Sequence, residues 1–315
     1  MNHRELGDSG LQVSTVALGS WLTYSGGIAR EQTEACTRAA IDAGITLFDT
    51  ANVYGTGASE TAWGEILSDY PRDSYVLATK VYFPMGPRDR GLSRKQILKQ
   101  IDGSLERLQT DYVDLYQCHR YDDSVALQET MGALTEVVEA GKARHIGFSE
   151  WPADRIQESL DMPGVTKFVS SQPQYSALWR GPEKEVIPLC EANGISQIVW
   201  SPLAQGVLTG KYQPGEKVPS DSRAANKAMN RFIRQWLSDD TLRAVQSLRP
   251  IADEAGITLS QLALAWVLHQ RNVTAVIVGA TRPEQVHENV KAADVQLSAD
   301  TLDAINETLR TAAVL

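Results

Sequence analysis

The chain has 315 residues, 43% of them apolar, and a formal net charge of −9. That length and apolar content support a full hydrophobic core. The acidic balance, with no long Lys/Arg run to offset it, argues against a general nucleic-acid or anionic-lipid binder. Cys36, Cys118 and Cys190 match no zinc or disulfide spacing, and residues 1–8 lack an apolar signal segment. No stretch approaches 18 consecutive apolar residues. A cytoplasmic chain with reduced thiols, no bound metal and no membrane span is therefore expected.

In chain order, residues 4–13 read as a small hairpin around a Gly/Asp/Ser turn. Eight strand candidates follow at 15–18, 46–48, 75–79, 112–116, 143–146, 168–171, 197–200 and 275–278. Their apolar content predicts burial on both faces, as a parallel sheet covered by helices requires. Helical periodicity fills the gaps. In 93–108, Ile97, Ile101, Leu105 and Leu108 share a face, and Ser93 with Gln96 predicts a capping box. Thr258 with Gln261 predicts a second one before Leu262 and Trp266. Gly44, Gly141 and Gly194 each separate a helical run from a strand, where a left-handed residue ends a helix at low cost.

Eight strand–helix units in this length predict one (β/α)₈ TIM barrel spanning residues 1–315, with the hairpin at its N-terminus. An open doubly wound sheet would carry a GxGxxG loop after its first strand. Here 15–18 leads into Gly19-Ser20-Trp21 instead. The long irregular stretch 213–230 reads as a surface loop or a lid within the barrel.

In such a barrel the chemistry sits at the C-terminal ends of the strands. Asp49 closes one strand, Tyr54 follows in the next loop, Lys80 closes another strand, and His119 follows a third. Taken singly, each is explained by capping, an ion pair or packing. The combination is informative. The run Phe48-Asp49-Thr50-Ala51-Asn52-Val53-Tyr54-Gly55 with Glu60, then Lys80, then 111–119, resembles the motifs of the aldo-keto reductases in order and spacing. Within that family, 18–23 and 201–206 resemble the branch of potassium-channel beta subunits and their bacterial relatives.

The resemblance implies NADPH-dependent reduction of aldehydes or ketones. Tyr54 would be the proton donor, Lys80 would ease loss of its proton, Asp49 would hold Lys80, and His119 would orient the substrate oxygen. It also implies a cofactor site without a Rossmann fold. Ser149 and Gln172 would bind the carboxamide, and Trp200 would stack on the nicotinamide, with Trp21 and Asp49 beside it. Ser201, Pro202, Leu203, Gln205 and Gly206 would hold the pyrophosphate, aided by Lys211. Gly279, Thr281, Arg282, Gln285, Glu288 and Asn289 would surround the adenosine.

Arg282 carries a guanidinium suited to a 2′-phosphate, so NADPH (and NADP⁺) is expected over NADH. Trp21, Tyr54, Tyr82, Phe83, His119 and Trp151 are the expected walls of the substrate pocket, for a small carbonyl compound. Cys118 is expected to face away from His119 and pack. The resemblance allows a homo-oligomer. Two other readings stand beside the enzyme: a nicotinamide-binding regulatory subunit with little turnover, and a sugar-phosphate isomerase or lyase, which leaves the Lys80–Tyr54 arrangement without a purpose.

Overall fold

The computed structural model describes residues 1–313 apart from 22, 25, 26, 221, 228, 229 and 231. β1 (His3–Glu5) and β2 (Gln12–Ser14) pair antiparallel, with Arg4 opposite Val13. Eight parallel strands then close a barrel. They are β3 (Val16–Gly19), β4 (Leu47–Asp49), β5 (Val76–Val81) and β6 (Val113–Cys118), followed by β7 (Ala143–Phe148), β8 (Phe168–Ser171), β9 (Ser196–Trp200) and β10 (Val273–Val278). β10 pairs with β3 to complete the ring. Each strand candidate becomes one of these eight strands, with ends shifted by at most two residues.

The helices form the outer layer. After β3, β4, β5 and β6 come α1 (Arg30–Asp42), α2 (Ala58–Leu67), α3 (Arg94–Leu108) and α4 (Leu127–Glu139). α5 (Ala153–Asp161) and α6 (Val186–Glu191) follow β7 and β8. α7 (Asp239–Gln246), α8 (Arg249–Glu254) and α9 (Leu259–His269) lie between β9 and β10, and α10 (Pro283–Asn289) and α11 (Ala299–Leu309) end the described chain. Among the described residues no single helix is long and apolar enough to cross a membrane.

Local signals acted unequally. Thr258 and Gln261 form the reciprocal capping box expected at α9. The box expected at Ser93 does not form, because Gln96 Nε2 donates instead to the carbonyl of Arg88, 3.0 Å away, tying α3 to the preceding loop. Gly194 sits at φ +67°, a backbone that strains any side chain, and its carbonyl accepts from Asp8 N at 2.9 Å.

The barrel interior is layered by the two-residue period of its strands. Leu47, Ala78 and Leu115 point inward and join Leu6, Val13, Ala17 and Ile198 in an apolar layer. The next inward positions on the same three strands are Asp49, Lys80 and Gln117. Register places Asp49 opposite Ala78 and Lys80 opposite Gln117. Thus the strand order itself stacks a polar layer on the apolar one. Tyr116 and Cys118 face the other way, into the core between barrel and helices, as expected for Cys118.

Candidate active site

A cavity of about 1070 Å³ opens at the C-terminal ends of the strands, at the upper end of the size usual for small-molecule sites. At its floor Lys80 Nζ lies 2.5 Å from Asp49 Oδ2, 2.8 Å from the Thr50 carbonyl and 3.5 Å from Tyr54 Oη. Lys80 is fully buried and Asp49 nearly so. Asp49 Oδ1 accepts from Gln172 Nε2 at 2.8 Å and from Gln117 Nε2 at 3.2 Å. One carboxylate therefore ties β4 to β5, to β6 and to the end of β8. Tyr54 and His119 stand edge to face, 5.6 Å between centroids.

Burial sets the protonation of these groups. It raises the Tyr54 phenol well above its ordinary value; the nearby Asp49 carboxylate adds to this, and Arg120 opposes it. Burial, with Lys80 and Arg120 nearby, holds the His119 imidazole neutral, its pKa well below the usual value. Burial also lowers Lys80, and the Asp49 charge opposes the shift. Tyr54 thus carries its proton and His119 does not, which suits a site that delivers a proton from oxygen.

Above this floor the walls are aromatic. Trp21 meets Tyr54, Trp200 and Phe232 at centroid distances of 6.5, 6.2 and 5.5 Å. Phe83 lies 4.8 Å from His119. Two expected wall residues are elsewhere. Trp151 is buried under Tyr121, Phe148 and Phe168 and does not border the cavity. Tyr82 packs edge-on against Phe83 without reaching the cavity. Ser149 is also one layer back: its hydroxyl donates to the Gln172 carbonyl at 2.7 Å and accepts from Arg120. Glu60, part of the recognised run, is a strut. It is fully buried, accepting from Thr79 and paired with Arg107.

The cavity continues along the turn after β9. Ser201, Ala204 and Gln205 adopt left-handed backbone, with φ of 59°, 46° and 60°, and Gly206 follows at 95°. Ser201 Oγ accepts from the backbone and side-chain nitrogens of Gln205, at 3.1 and 2.7 Å. Such a turn is costly for ordinary residues and recurs where backbone is shaped around a ligand. Pro202, Leu203 and Lys211 border the same stretch. At the far end lie Gly279, Thr281, Arg282, Gln285, Glu288 and Asn289. Arg282 is the residue before α10, Pro283 opens that helix, and Gln285 Oε1 accepts from Thr281 N at 2.8 Å. Glu288 Oε1 accepts from the Thr258 hydroxyl at 2.9 Å, so it is turned toward α9.

Among the positions that escaped the sequence reading, four stand out. Arg120 borders the cavity beside His119. Arg223, from the loop 213–230, hydrogen-bonds Gln205 Oε1 and also borders it, as does Phe232. Glu150, at φ 56°, accepts from Trp200 Nε1 at 2.8 Å and thereby fixes the indole. Only Arg120 had a local signal, its place after a strand-end histidine. Leu22, within the recognised run 18–23, lies outside the described residues, as do 221, 228 and 229 of the loop.

The sequence pattern of the Aldo/keto reductase family matches residues 15–310. Two relatives, from Arabidopsis thaliana and Oryza sativa subsp. japonica, carry the name "Probable voltage-gated potassium channel subunit beta". Each is 41% identical to this chain; the alignments cover 98% and 97% of it, and 97% and 95% of the relatives. A similarly named protein of Schizosaccharomyces pombe is also 41% identical, over 97% of this chain and 92% of its own. A full-length family match, near-complete alignment at this identity and a closed (β/α)₈ barrel agree: the chain belongs to the aldo/keto reductase family.

Proposed function

We propose that the protein reduces aldehydes or ketones to alcohols with NADPH. The observation that carries this reading is the group of buried Asp49, Lys80 and His119 with half-buried Tyr54 at one end of a cavity whose other end is lined by Arg282. The lining fits a dinucleotide: Trp200 offers a platform for a flat ring, and the left-handed turn 201–206 offers backbone around a pyrophosphate. Lys211, Arg223 and Arg282 supply positive charge along the same path. The loop 213–230, through Arg223, would cover the bound cofactor.

NADPH, when bound, supplies the hydride that goes to the carbonyl carbon. Tyr54 delivers its phenolic proton to the carbonyl oxygen, and the hydride and proton together make the alcohol. Lys80, 3.5 Å from Tyr54 Oη, stabilises the phenolate left behind until solvent returns a proton. Neutral His119 orients the substrate oxygen, and Asp49 holds Lys80 in place. The aromatic walls keep water from the reacting atoms. The three cysteines are buried and unpaired, which supports a reducing, cytoplasmic setting.

Tyr54→Phe tests the reading. It removes one oxygen, so NADPH should still bind while reductase turnover falls by the ~10²–10⁴ typical of losing a general acid. Undiminished turnover would overturn the assignment. The names of the relatives favour a second reading, a nicotinamide-binding regulatory subunit. Tight NADPH binding with no reduction of any aldehyde in a broad panel would select it.

A further inference from the structure

The polar layer of the barrel holds one side chain to which the proposed reaction gives no task. Gln117 is fully buried at its inward position on β6 and does not border the cavity. It closes a ring of hydrogen bonds with Asp49 and Gln172. Gln117 Nε2 donates to Asp49 Oδ1 at 3.2 Å, and Gln172 Nε2 donates to the same oxygen at 2.8 Å. Gln172 Nε2 also donates to Gln117 Oε1 at 3.3 Å.

These bonds fix which way the Gln172 amide points. The Asp49 carboxylate, paired with Lys80, accepts and does not donate, so both amides turn their nitrogens toward it. An amide nitrogen of this kind has two hydrogens to give. Asp49 takes one from Gln172, and Gln117 takes the other. The main chain of Gln172 is held as well. Its N–H donates to the Phe148 carbonyl, and its carbonyl accepts from Ser149 Oγ, both at 2.7 Å. Gln172 Oε1 makes no bond among the described residues, and Gln172 borders the cavity.

The surroundings of that oxygen define its partner. Pro173, the next residue, accepts through its carbonyl from the backbone N–H of Trp200 at 3.1 Å. Gln172 therefore lies beside the indole proposed to carry the nicotinamide. An acceptor at the edge of a flat-ring platform calls for a donor on the ring. A primary carboxamide supplies one, and an acetyl group of nearly the same shape does not.

We propose that Gln117 is a positioning residue: by holding the second hydrogen of the Gln172 amide, it presents Gln172 Oε1 to the cofactor and makes the protein select a nicotinamide ring whose carboxamide donates. The inference rests on the cofactor part of the reductase reading and does not require turnover. Without Gln117 the Gln172 amide hinges on its bond to Asp49, and its plane must be ordered each time the ring binds.

The test measures dissociation constants by tryptophan fluorescence for NADP⁺, for its 3-acetylpyridine analogue, and for adenosine 2′,5′-bisphosphate, which lacks the nicotinamide half. Wild type should prefer NADP⁺ to the analogue about five- to a hundredfold, because the analogue covers Gln172 Oε1 without pairing it. In Gln117→Leu, close in volume and without polar atoms, that preference should shrink about two- to tenfold, the worth of one side chain set free. The bisphosphate should bind as it does to wild type. Gln117→Met should behave alike, which separates the lost hydrogen bonds from a misfit of the branched side chain. Gln172→Leu should abolish the preference, and adding Gln117→Leu to it should change nothing further, since Gln117 acts through Gln172.

An undiminished preference in Gln117→Leu and Gln117→Met would overturn the proposal. Equal loss for all the ligands would make Gln117 a general support of the barrel and overturn it too. Wild type that binds NADP⁺ and the analogue equally would overturn this inference and leave the reductase reading standing. Wild type that binds no NADP⁺ would remove both.

Discussion

Lys80→Met and Asp49→Asn, alone and together, give a stability cycle whose outcome follows from the geometry of the site. The pair is 2.5 Å apart and both side chains are buried. Removing one partner of a buried ion pair leaves an uncompensated charge and costs ~3–5 kcal/mol. In Lys80→Met the Asp49 carboxylate keeps two amide donors, from Gln172 and Gln117, which places this variant near ~3 kcal/mol. In Asp49→Asn the ammonium keeps the Thr50 carbonyl, the more distant Tyr54 oxygen and at most a neutral amide oxygen, but no counter-charge, so a cost nearer ~4 kcal/mol is expected. Additivity would put the double variant near ~7 kcal/mol. The double variant contains neither charge, however, so a coupling of ~2–3 kcal/mol should bring it to ~4–5 kcal/mol. Urea unfolding followed by both tryptophan fluorescence and far-ultraviolet circular dichroism measures all four proteins. Coincident transitions would license the free energies. Additivity to within ~0.5 kcal/mol would refute the idea that each charge is held in the barrel by the other.

Arg282→Ala should weaken NADPH about ten- to a hundredfold by removing a charge-assisted contact, and leave NADH nearly unchanged. Equal losses for the two cofactors, or a wild-type preference for NADH, would defeat that assignment and turn attention to Glu288. Glu150→Ala should free the Trp200 indole, shift the tryptophan emission and raise the NADPH dissociation constant about two- to tenfold. Glu150→Gln, which keeps an acceptor, should largely rescue both, and identical behaviour of the two variants would remove Glu150 from this role. Stability should fall on both sides of neutrality. The unfolded chain protonates histidine below about pH 6.5 whereas native His119 resists, so this contribution is full above that pH and is lost as pH drops. Native Tyr54 and Tyr116 hold protons that the unfolded chain releases above about pH 10, so stability is lost as pH rises beyond it. Urea midpoints across pH 5–11 check both limbs, and an acid limb no flatter in His119→Asn than in wild type would exclude His119 as a source.

What was legible in the sequence was whatever depends on local period. Strands buried on both faces announce themselves as short apolar runs, and Asp49 and Lys80 could be placed because each closes such a run. The glycines before β4, β7 and β9 were readable because only their φ matters, +81°, +72° and +67° at Gly44, Gly141 and Gly194. What escaped depends on where distant segments meet. Arg223 reaches Gln205 from an irregular loop with no period to fix its direction. Trp151 follows Ser149 closely, yet the chain turns it down onto Phe148 and Phe168 rather than toward the cavity. At Ser93 the local rule lost to a competitor: the carbonyl of Arg88 offered Gln96 a partner that the sequence could not show.

The hairpin of β1 and β2 lies at the end of the barrel opposite the cavity, where Leu6 and Val13 are fully buried against Ala17, Leu47 and Leu115. It works as a gasket. The attraction between unit charges scales inversely with the dielectric response around them: about 1 kcal/mol at ~4 Å in bulk water and about 4 kcal/mol near a protein surface at an effective constant of ~20. The apolar layer reaches Ala78, which sits opposite Asp49 in the strand register. A leak at the floor, such as Leu6→Asp, would therefore let water climb toward the ion pair and weaken it from below. The hairpin touches no ligand, yet it sets how strongly the charges above it feel one another.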